Sequence, residues 1–304
     1  MAHDLVTLLG PDGVARTRDL ADRVDRHTVS AWVRRRRLLR PFPGVVVLPE
    51  RWQEWPTRAM AAVLSTGGAL SHTSALAVWR VLPQEGWIHV SVPADRHALR
   101  RPGLVVHRVG AFALDRLGPF PVTSLPRGVI DTWGLAHGTT DRRARERARG
   151  VVIGTVRERQ ATARELRIEL ARRPALPGRR ALVDLLDLVE QGCQSELEIW
   201  GVRNVLRGPG MPSFVQQHSV QLPWGTVHLD AAIPDLKVAV ELDGAAFHGS
   251  AEARERDIRR DAALAARGWV VLRLSYRRLT TDPEGCRREI LEMCRARRAL
   301  LVRP

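Results

Sequence analysis

Hydrophobic and polar residues alternate with period two along two neighbouring stretches in the last third of the chain. In 225–234 the apolar positions are Val227, Leu229, Ala231 and Ile233, and the other parity carries Thr226, His228, Asp230 and Ala232. In 237–243 the apolar positions are Val238, Val240 and Leu242, with Lys237, Ala239, Glu241 and Asp243 between them. This is the pattern of half-buried strands. Pro234-Asp235 supplies turn chemistry, so the pair predicts a hairpin turning at Asp235-Leu236. That turn pairs Ile233 with Val238, Ala231 with Val240 and Leu229 with Leu242. On the opposite face it sets Asp230 across from Glu241 and His228 across from Asp243. A slip of one residue would put apolar side chains among the acids, so the pattern defends the register. After a loop at 244–250, Ala251–Arg267 predicts a helix with Ile258, Ala262 and Ala265 on one face and Gly268 at its end. Trp269–Ser275 returns as a strand with Val270, Leu272 and Leu274 buried. Strand, helix, strand predicts a parallel pair with a right-handed crossover.

The same reading organises the rest. Residues 1–49 predict a winged helix-turn-helix: a short helix at Asp4–Leu9, a turn at Pro11-Asp12-Gly13, a helix from Thr17 to Arg23 and a third capped by Thr28 (SAWVRRRRLL), with Ala31, Val33 and Leu38 apolar. Pro41–Pro49 would be the wing. In 50–136, Arg58–Leu64 and Ser71–Val78 predict helices, and Ile88–Val92 and Leu104–Val109 predict strands. His72 and His107 are read as structural and given no role. Residues 137–192 predict a basic helical linker, broken at PALPG (174–178) and ending in a helix at Arg179–Gln191 with Leu182, Leu185, Leu186 and Val189 buried. A fourth region, 193–304, begins with an amphipathic helix at Ser195 and a strand at Phe214–Leu222. The fold class is therefore multidomain α/β, with the N-terminal winged helix and a small α+β domain ahead of a mixed C-terminal sheet flanked by helices.

Charge narrows the function. The 304 residues carry 48 Lys and Arg against 33 Asp and Glu, a net +15, and only Lys237 among the bases is lysine. An arginine excess matches phosphate and points to nucleic acid. Arg34, Arg35, Arg36 and Arg37, running out of the third helix, are the candidate DNA contacts, as a basic helix entering a major groove would be. The plainer reading of such a run is a solvated surface. Three scattered cysteines without a CxxC give no indication of a disulfide framework or a cysteine-rich zinc site. Neither a signal peptide nor a spanning apolar run is present, which reads as a cytoplasmic protein without a membrane partner.

Directly opposed strand residues lie about 5 Å apart at Cβ. Two carboxylates that close repel and need a cation or a proton. A face carrying Asp230, Glu241 and Asp243 is suited to a hard divalent ion such as Mg²⁺, with Mn²⁺ equally open. Glu198 lies three residues after Ser195, which is capping-box spacing; it is also placed to add a third carboxylate. Arg273, on the polar parity of the last strand, either binds phosphate or pairs with Asp257 or Asp261.

Two resemblances build on these residues. The N-terminal pattern, with RAMAAVLSTGGALSHTSALAVWRVLP, WIHVSVPADR, PGLVVHRVG and FPVTSLPRGVIDTWGLA, resembles the AbiEi-family antitoxin winged-helix region over about 1–136. From about 194 to 290, SELE, HLDAAIPDLKVAVELDG, FH, RERDIRRDAALAARGW and VVLRLS resemble the very-short-patch-repair-like endonuclease domain of unknown function, within the PD-(D/E)XK restriction-endonuclease-like superfamily. The second resemblance implies that Asp230, Glu241 and Glu198 bind metal, with Glu196 the second choice for the last. It implies His248 as a general acid or base. It also exposes a departure: Asp243 stands where the family pattern has lysine. Lys237 lies roughly 13 Å from Glu241 along the strand and cannot take its place.

Two functions compete. One is a metal-dependent DNA endonuclease brought to its target by the N-terminal region; the same chemistry on RNA is not separable from sequence. The other is a non-catalytic DNA-binding regulator of antitoxin type with an inactive nuclease fold. The missing lysine favours the regulator, and the opposed acids favour the nuclease. A homodimer, and for the regulator a cognate toxin, are the protein partners these readings allow.

Overall fold

The structure is a computed structural model that describes residues 4–96, 101–110, 112–191, 193, 195–243 and 251–301. It divides into two compact units, 1–181 and 182–304. Among the described residues no helix is long and apolar enough to cross a membrane.

The first unit opens with α1 (Leu5–Leu9), β1 (Val14–Arg16), α2 (Thr17–Val24), α3 (Arg26–Arg34) and β2 (Val45–Val47). The start of α3 corrects the expected cap. Asp25, not Thr28, is the N-cap: its carboxylate accepts from Thr28 N at 2.9 Å and from the Thr28 hydroxyl at 2.6 Å. The helix also ends earlier than SAWVRRRRLL suggests. Arg35 is its C-cap and Arg36 has φ 56°, so three of the four arginines lie in the turn beyond the helix. β1, unforeseen in the sequence, pairs antiparallel with β2. Alternation along β2 then serves two cores. Val46 packs with Leu5, Leu9, Leu20, Val29, Trp32 and Leu38, while Val45 and Val47 face a second core with Trp55, Met60, Leu70 and Val90. The first 49 residues thus share a core with the segment that follows.

That segment contains α4 (Trp55–Thr66), β3 (Ala69–Leu70), α5 (His72–Val78), β4 (Ile88–Pro93), β5 (Leu104–Val109), β6 (Leu114–Leu117), β7 (Phe120–Thr123) and α6 (Leu125–His137). Its five-stranded sheet has the order β5-β4-β3-β7-β6. Residues 137–192 form α7 (Arg142–Arg157), α8 (Ala163–Ala171) and α9 (Arg179–Glu190). α7 and α8 pack on α6 and bury Val151, Val152, Ile153, Leu166 and Leu170. The division between units falls within α9, whose Leu182, Leu185, Leu186, Leu188 and Val189 are buried.

The second unit comprises α10 (Glu196–Gly201), a π-helical continuation at Val202–Leu206, β8 (Val215–Leu222), β9 (Gly225–Ile233), β10 (Val238–Asp243), α11 (Ala251–Ala266), β11 (Val270–Ser275), α12 (Tyr276–Thr281) and α13 (Pro283–Leu301). The sheet order is β11-β10-β9-β8. β9 and β10 are antiparallel, and β10 and β11 parallel. The hairpin turns through Pro234–Leu236, with Lys237 in left-handed backbone at φ 50°. Lys237 is therefore a turn residue rather than part of the strand, and its Nζ donates to Arg267 O at 2.9 Å. β10 is buried over five of its six residues: α11 approaches through Arg260 and Leu264, and α10 through Gly201, whose Cα packs against Leu242.

Candidate active site

The central hairpin has the predicted pairing at Ile233↔Val238 and Ala231↔Val240. One step further along this register brings Asp230 across from Glu241. There the described ladder stops, because the side chain of Asp230 takes the backbone's place: its Oδ2 accepts from Leu242 N at 2.9 Å. The expected pairs Leu229–Leu242 and His228–Asp243 are accordingly not made. His228 instead meets Ser219 Oγ at 3.1 Å through Nδ1, and its carbonyl accepts from Arg260.

Glu241 is 5% exposed. Arg260 Nη2 donates to its Oε1 at 2.8 Å. Burial pushes the Glu241 carboxyl up to about 7; the charge of Asp230 adds to the rise, while Arg260 and Arg273 oppose it. Asp230 is also raised, chiefly by burial, with the Leu242 amide pulling the other way. Glu241 is buried and Asp230 half-buried, and removal from water makes their charge costly.

Glu198 reaches the pair indirectly. Its backbone N donates to Ser195 Oγ at 3.1 Å, and the Ser195 hydroxyl donates to Glu198 Oε1 at 2.7 Å. Gln217 Nε2 then lies 3.3 Å from Glu198 Oε2 and 3.4 Å from Asp230 Oδ1. Glu198 therefore caps α10 and also joins the acid cluster through an amide. Gln217 sits in left-handed backbone at φ 49°, which is uncommon for a residue with a side chain and turns attention to it as a site residue. The side chain of Glu196 and all of His248 lie outside the described residues.

Asp243 is half-buried and meets Arg273 Nη1 at 3.5 Å; Arg273 Nη2 meets Asp261 at 2.8 Å. Arg273, a candidate for phosphate, is thus held by two carboxylates, one of them the alternative partner foreseen for it. The predicted face of α11 is reversed. Ile258 is 55% exposed and Ala262 and Ala265 are exposed, while Leu264 is buried and Arg260 half-buried. The acids draw the helix's charged side inward, which period-3.6 counting of apolar residues does not detect. Arg260 was missed for that reason.

No three of these carboxylates bring ligand oxygens within 4.8 Å of one another among the described residues. Arg260 holds Glu241, and Leu242 N with Gln217 holds Asp230. In donor chemistry, hard carboxylate oxygens, the cluster fits a hard divalent ion. In arrangement it is closed by its own arginine.

Residues 212–293 match the family model REase_MTES_1575, a restriction endonuclease-like family. This match supports a nuclease-like domain at the C-terminal end of the chain. It spans Asp230, Glu241, Asp243, Arg260 and Arg273 and leaves Glu198 outside. No curated protein matches the chain. Arg34, Arg35, Arg36 and Arg37 are exposed, around the end of α3 in the first unit.

Proposed function

We propose that the chain is a divalent-metal-dependent endonuclease that hydrolyses phosphodiester bonds in DNA, with Asp230 and Glu241 as its central acids. One observation carries this reading: inside the matched stretch, the buried Glu241 and the half-buried Asp230 oppose each other on adjacent strands, and Glu241 is pushed up to about 7. Acids paired at such a cost are the signature of a functional site rather than of a stabilised core. Asp230 and Glu241 would hold Mg²⁺ or Mn²⁺, with Glu198 joining through rearrangement of Gln217. When bound, such an ion lowers the pKa of a water and neutralises charge on the phosphoryl group.

The chain's own residues account for the missing lysine. Asp243 cannot act as a cation, but Arg260 places one 2.8 Å from Glu241. Displaced from Glu241, its guanidinium is suited to a phosphate by charge and fork geometry. Its Nε is already buried with no hydrogen-bond partner among the described residues. Asp243 fixes Arg273 instead, together with Asp261. His248 is the candidate for moving the proton of the attacking water. In the first unit, Arg34 to Arg37 supply phosphate contacts in a winged helix of AbiEi-like type, which makes binding salt-sensitive. The likeness to very-short-patch-repair endonucleases belongs to the same proposal.

The Arg260–Glu241 ion pair favours a second reading, a non-catalytic DNA-binding regulator that works with a cognate toxin, since the pair satisfies the buried acid without metal. Nicking of supercoiled plasmid separates the two. Cutting that needs Mg²⁺ or Mn²⁺, stops with EDTA and is absent in Asp230→Ala supports the nuclease. Salt-sensitive DNA binding without cutting under any of these conditions supports the regulator.

A further inference from the structure

The five-stranded sheet of the first unit has two unlike faces. One carries Ile88, Val90, Val92, Leu104 and Val122, all in the apolar core. The other parity of β4 and β5 carries His89, Ser91 and His107. The parallel register pairs Ser91 with His107 and His89 with Val105, so the two histidines are diagonal neighbours on one face. His72, the first residue of α5, joins them. It is 6% exposed, and its backbone is left-handed at φ 51°, a strained state for a residue with a Cβ that persists where the surroundings enforce it.

The three rings are in mutual contact. His89 Nδ1 lies 3.0 Å from His107 Nε2. His72 stacks on His107 with centroids 3.6 Å apart and planes inclined by 19°, and its Nδ1 lies 3.0 Å from Ser71 Oγ. One ring nitrogen from each of the three lies within 4.8 Å of the others, the one group of three metal-ligating side chains among the described residues that meets this distance. Ligands around a tetrahedral zinc-class ion are about 3.3 Å apart when each bond is about 2.0 Å. The His89–His107 pair is already that close. Turning the His72 ring out of its stack brings in the third nitrogen.

One further observation favours a guest. Ser91 Oγ, across the ladder from His107, is buried without a hydrogen-bond partner among the described residues; a metal-bound water is the kind of group that would give it one. The cations that face His72, Arg127 and Arg173, are paired with acids. Arg127 meets Asp131 at 2.7 Å and Glu169 at 3.2 Å, and Arg173 meets Asp131 at 2.8 Å. Arg172 also meets Glu169, at 3.0 Å, so three arginines share two carboxylates, and it is the imidazole nitrogens rather than the surrounding charge that would hold a cation.

We propose that His72, His89 and His107 form a site for one divalent transition metal of the zinc class, tying the start of α5 to β4 and β5 and leaving its fourth position for water. Neutral imidazoles suit such ions and not Mg²⁺, so this site is chemically separate from the carboxylates of the second unit.

Chelator-stripped full-length protein provides the test. One equivalent of Co²⁺ is expected to give visible d–d absorption, and Zn²⁺ to displace it. His107→Gln and His89→Gln are each expected to weaken binding at least about 100-fold. A second readout needs no variant. Ring ¹⁵N resonances of histidine should shift for three residues on adding one equivalent of Zn²⁺ and return with EDTA. Failure of any ring signals to move, or Co²⁺ absorption that survives both substitutions, would overturn the site.

Discussion

Each unit of this chain buries a polar cluster, and the two are made stable by opposite means. In the second unit, Asp230 and Glu241 are acids answered from outside their own group: Arg260 on α11, the Leu242 amide, and the Gln217 side chain. In the first unit, His72, His89 and His107 are answered by one another, through stacking and a ring-to-ring hydrogen bond. Burial moves both sets toward neutrality, which raises the acids and lowers the imidazoles. The lesson is one of selectivity. Hard oxygen donors held beside an arginine suit a hard ion and a phosphate, while a closed set of imidazoles suits a softer ion.

The largest effect expected is on chemistry. Asp230→Asn keeps the shape and removes the charge, and should slow metal-dependent plasmid nicking by about 10³-fold, the scale on which single electrostatic groups act in catalysis. His107→Gln should leave nicking nearly unchanged under the same assay. Equal losses in both variants would erase the distinction between the clusters.

The next effect is on stability. Arg260→Ala leaves a buried acid without its cation and should destabilise the second unit by about 3 kcal/mol in urea unfolding. Adding Glu241→Gln in the same chain should recover most of that loss, because the uncompensated charge is then gone. A double variant no better than Arg260→Ala would show that the arginine acts through packing alone.

The two clusters should also respond to pH with opposite signs in the metal-free protein. The Glu241 carboxyl sits at about 7, above its ordinary 4.5. Between these values the native state holds more protons than the unfolded state, so the second unit loses stability as pH rises from about 4.5 through 7. His89 and His107 sit at about 4, below 6.5. There the unfolded state holds more protons, so the first unit is at full stability above about 6.5 and loses it as pH falls toward 4. Each group contributes on the order of 1–3 kcal/mol. Hydrogen exchange corrected for intrinsic rates, read by peptide, should show protection falling in β10 on the alkaline side and in β4 and β5 on the acid side.

The smallest effect concerns DNA binding. Arg35→Ala and Arg37→Ala should each reduce the slope of log affinity against log salt by about 1, with affinity falling alike across sequences. An unchanged slope would make these arginines a solvated surface.

Much of the second unit was legible because alternation is a local signal. Ile233, Ala231, Val238 and Val240 fix the register, and Asp230 and Glu241 follow from it. Arg260 was not legible, since its inward turn depends on the acids rather than on the apolar spacing of α11, where Ile258 suggested the opposite face. The cap of α3 misled for a similar reason: Thr28 and Asp25 both carry capping side chains, and the backbone at Asp25 (φ 77°) decides between them. The imidazole cluster is the clearest case. The I-H-V and V-V-H strands place one histidine each on the face away from Ile88 and Leu104, but their meeting requires the pairing of β4 with β5 and the placement of His72 against them. Neither is local, so His72 and His107 read as structural and His89 drew no notice.

The central claim is that the Asp230–Glu241 pair is the seat of phosphodiester hydrolysis. It is tested most directly by single-turnover nicking of supercoiled plasmid in Mn²⁺ by Glu241→Gln beside the unaltered protein, with urea unfolding of both. The account predicts metal-dependent cutting by the unaltered protein and loss of cutting by about 10³-fold in a variant that the urea measurement shows to be folded. Cutting by Glu241→Gln at the unaltered rate would contradict it.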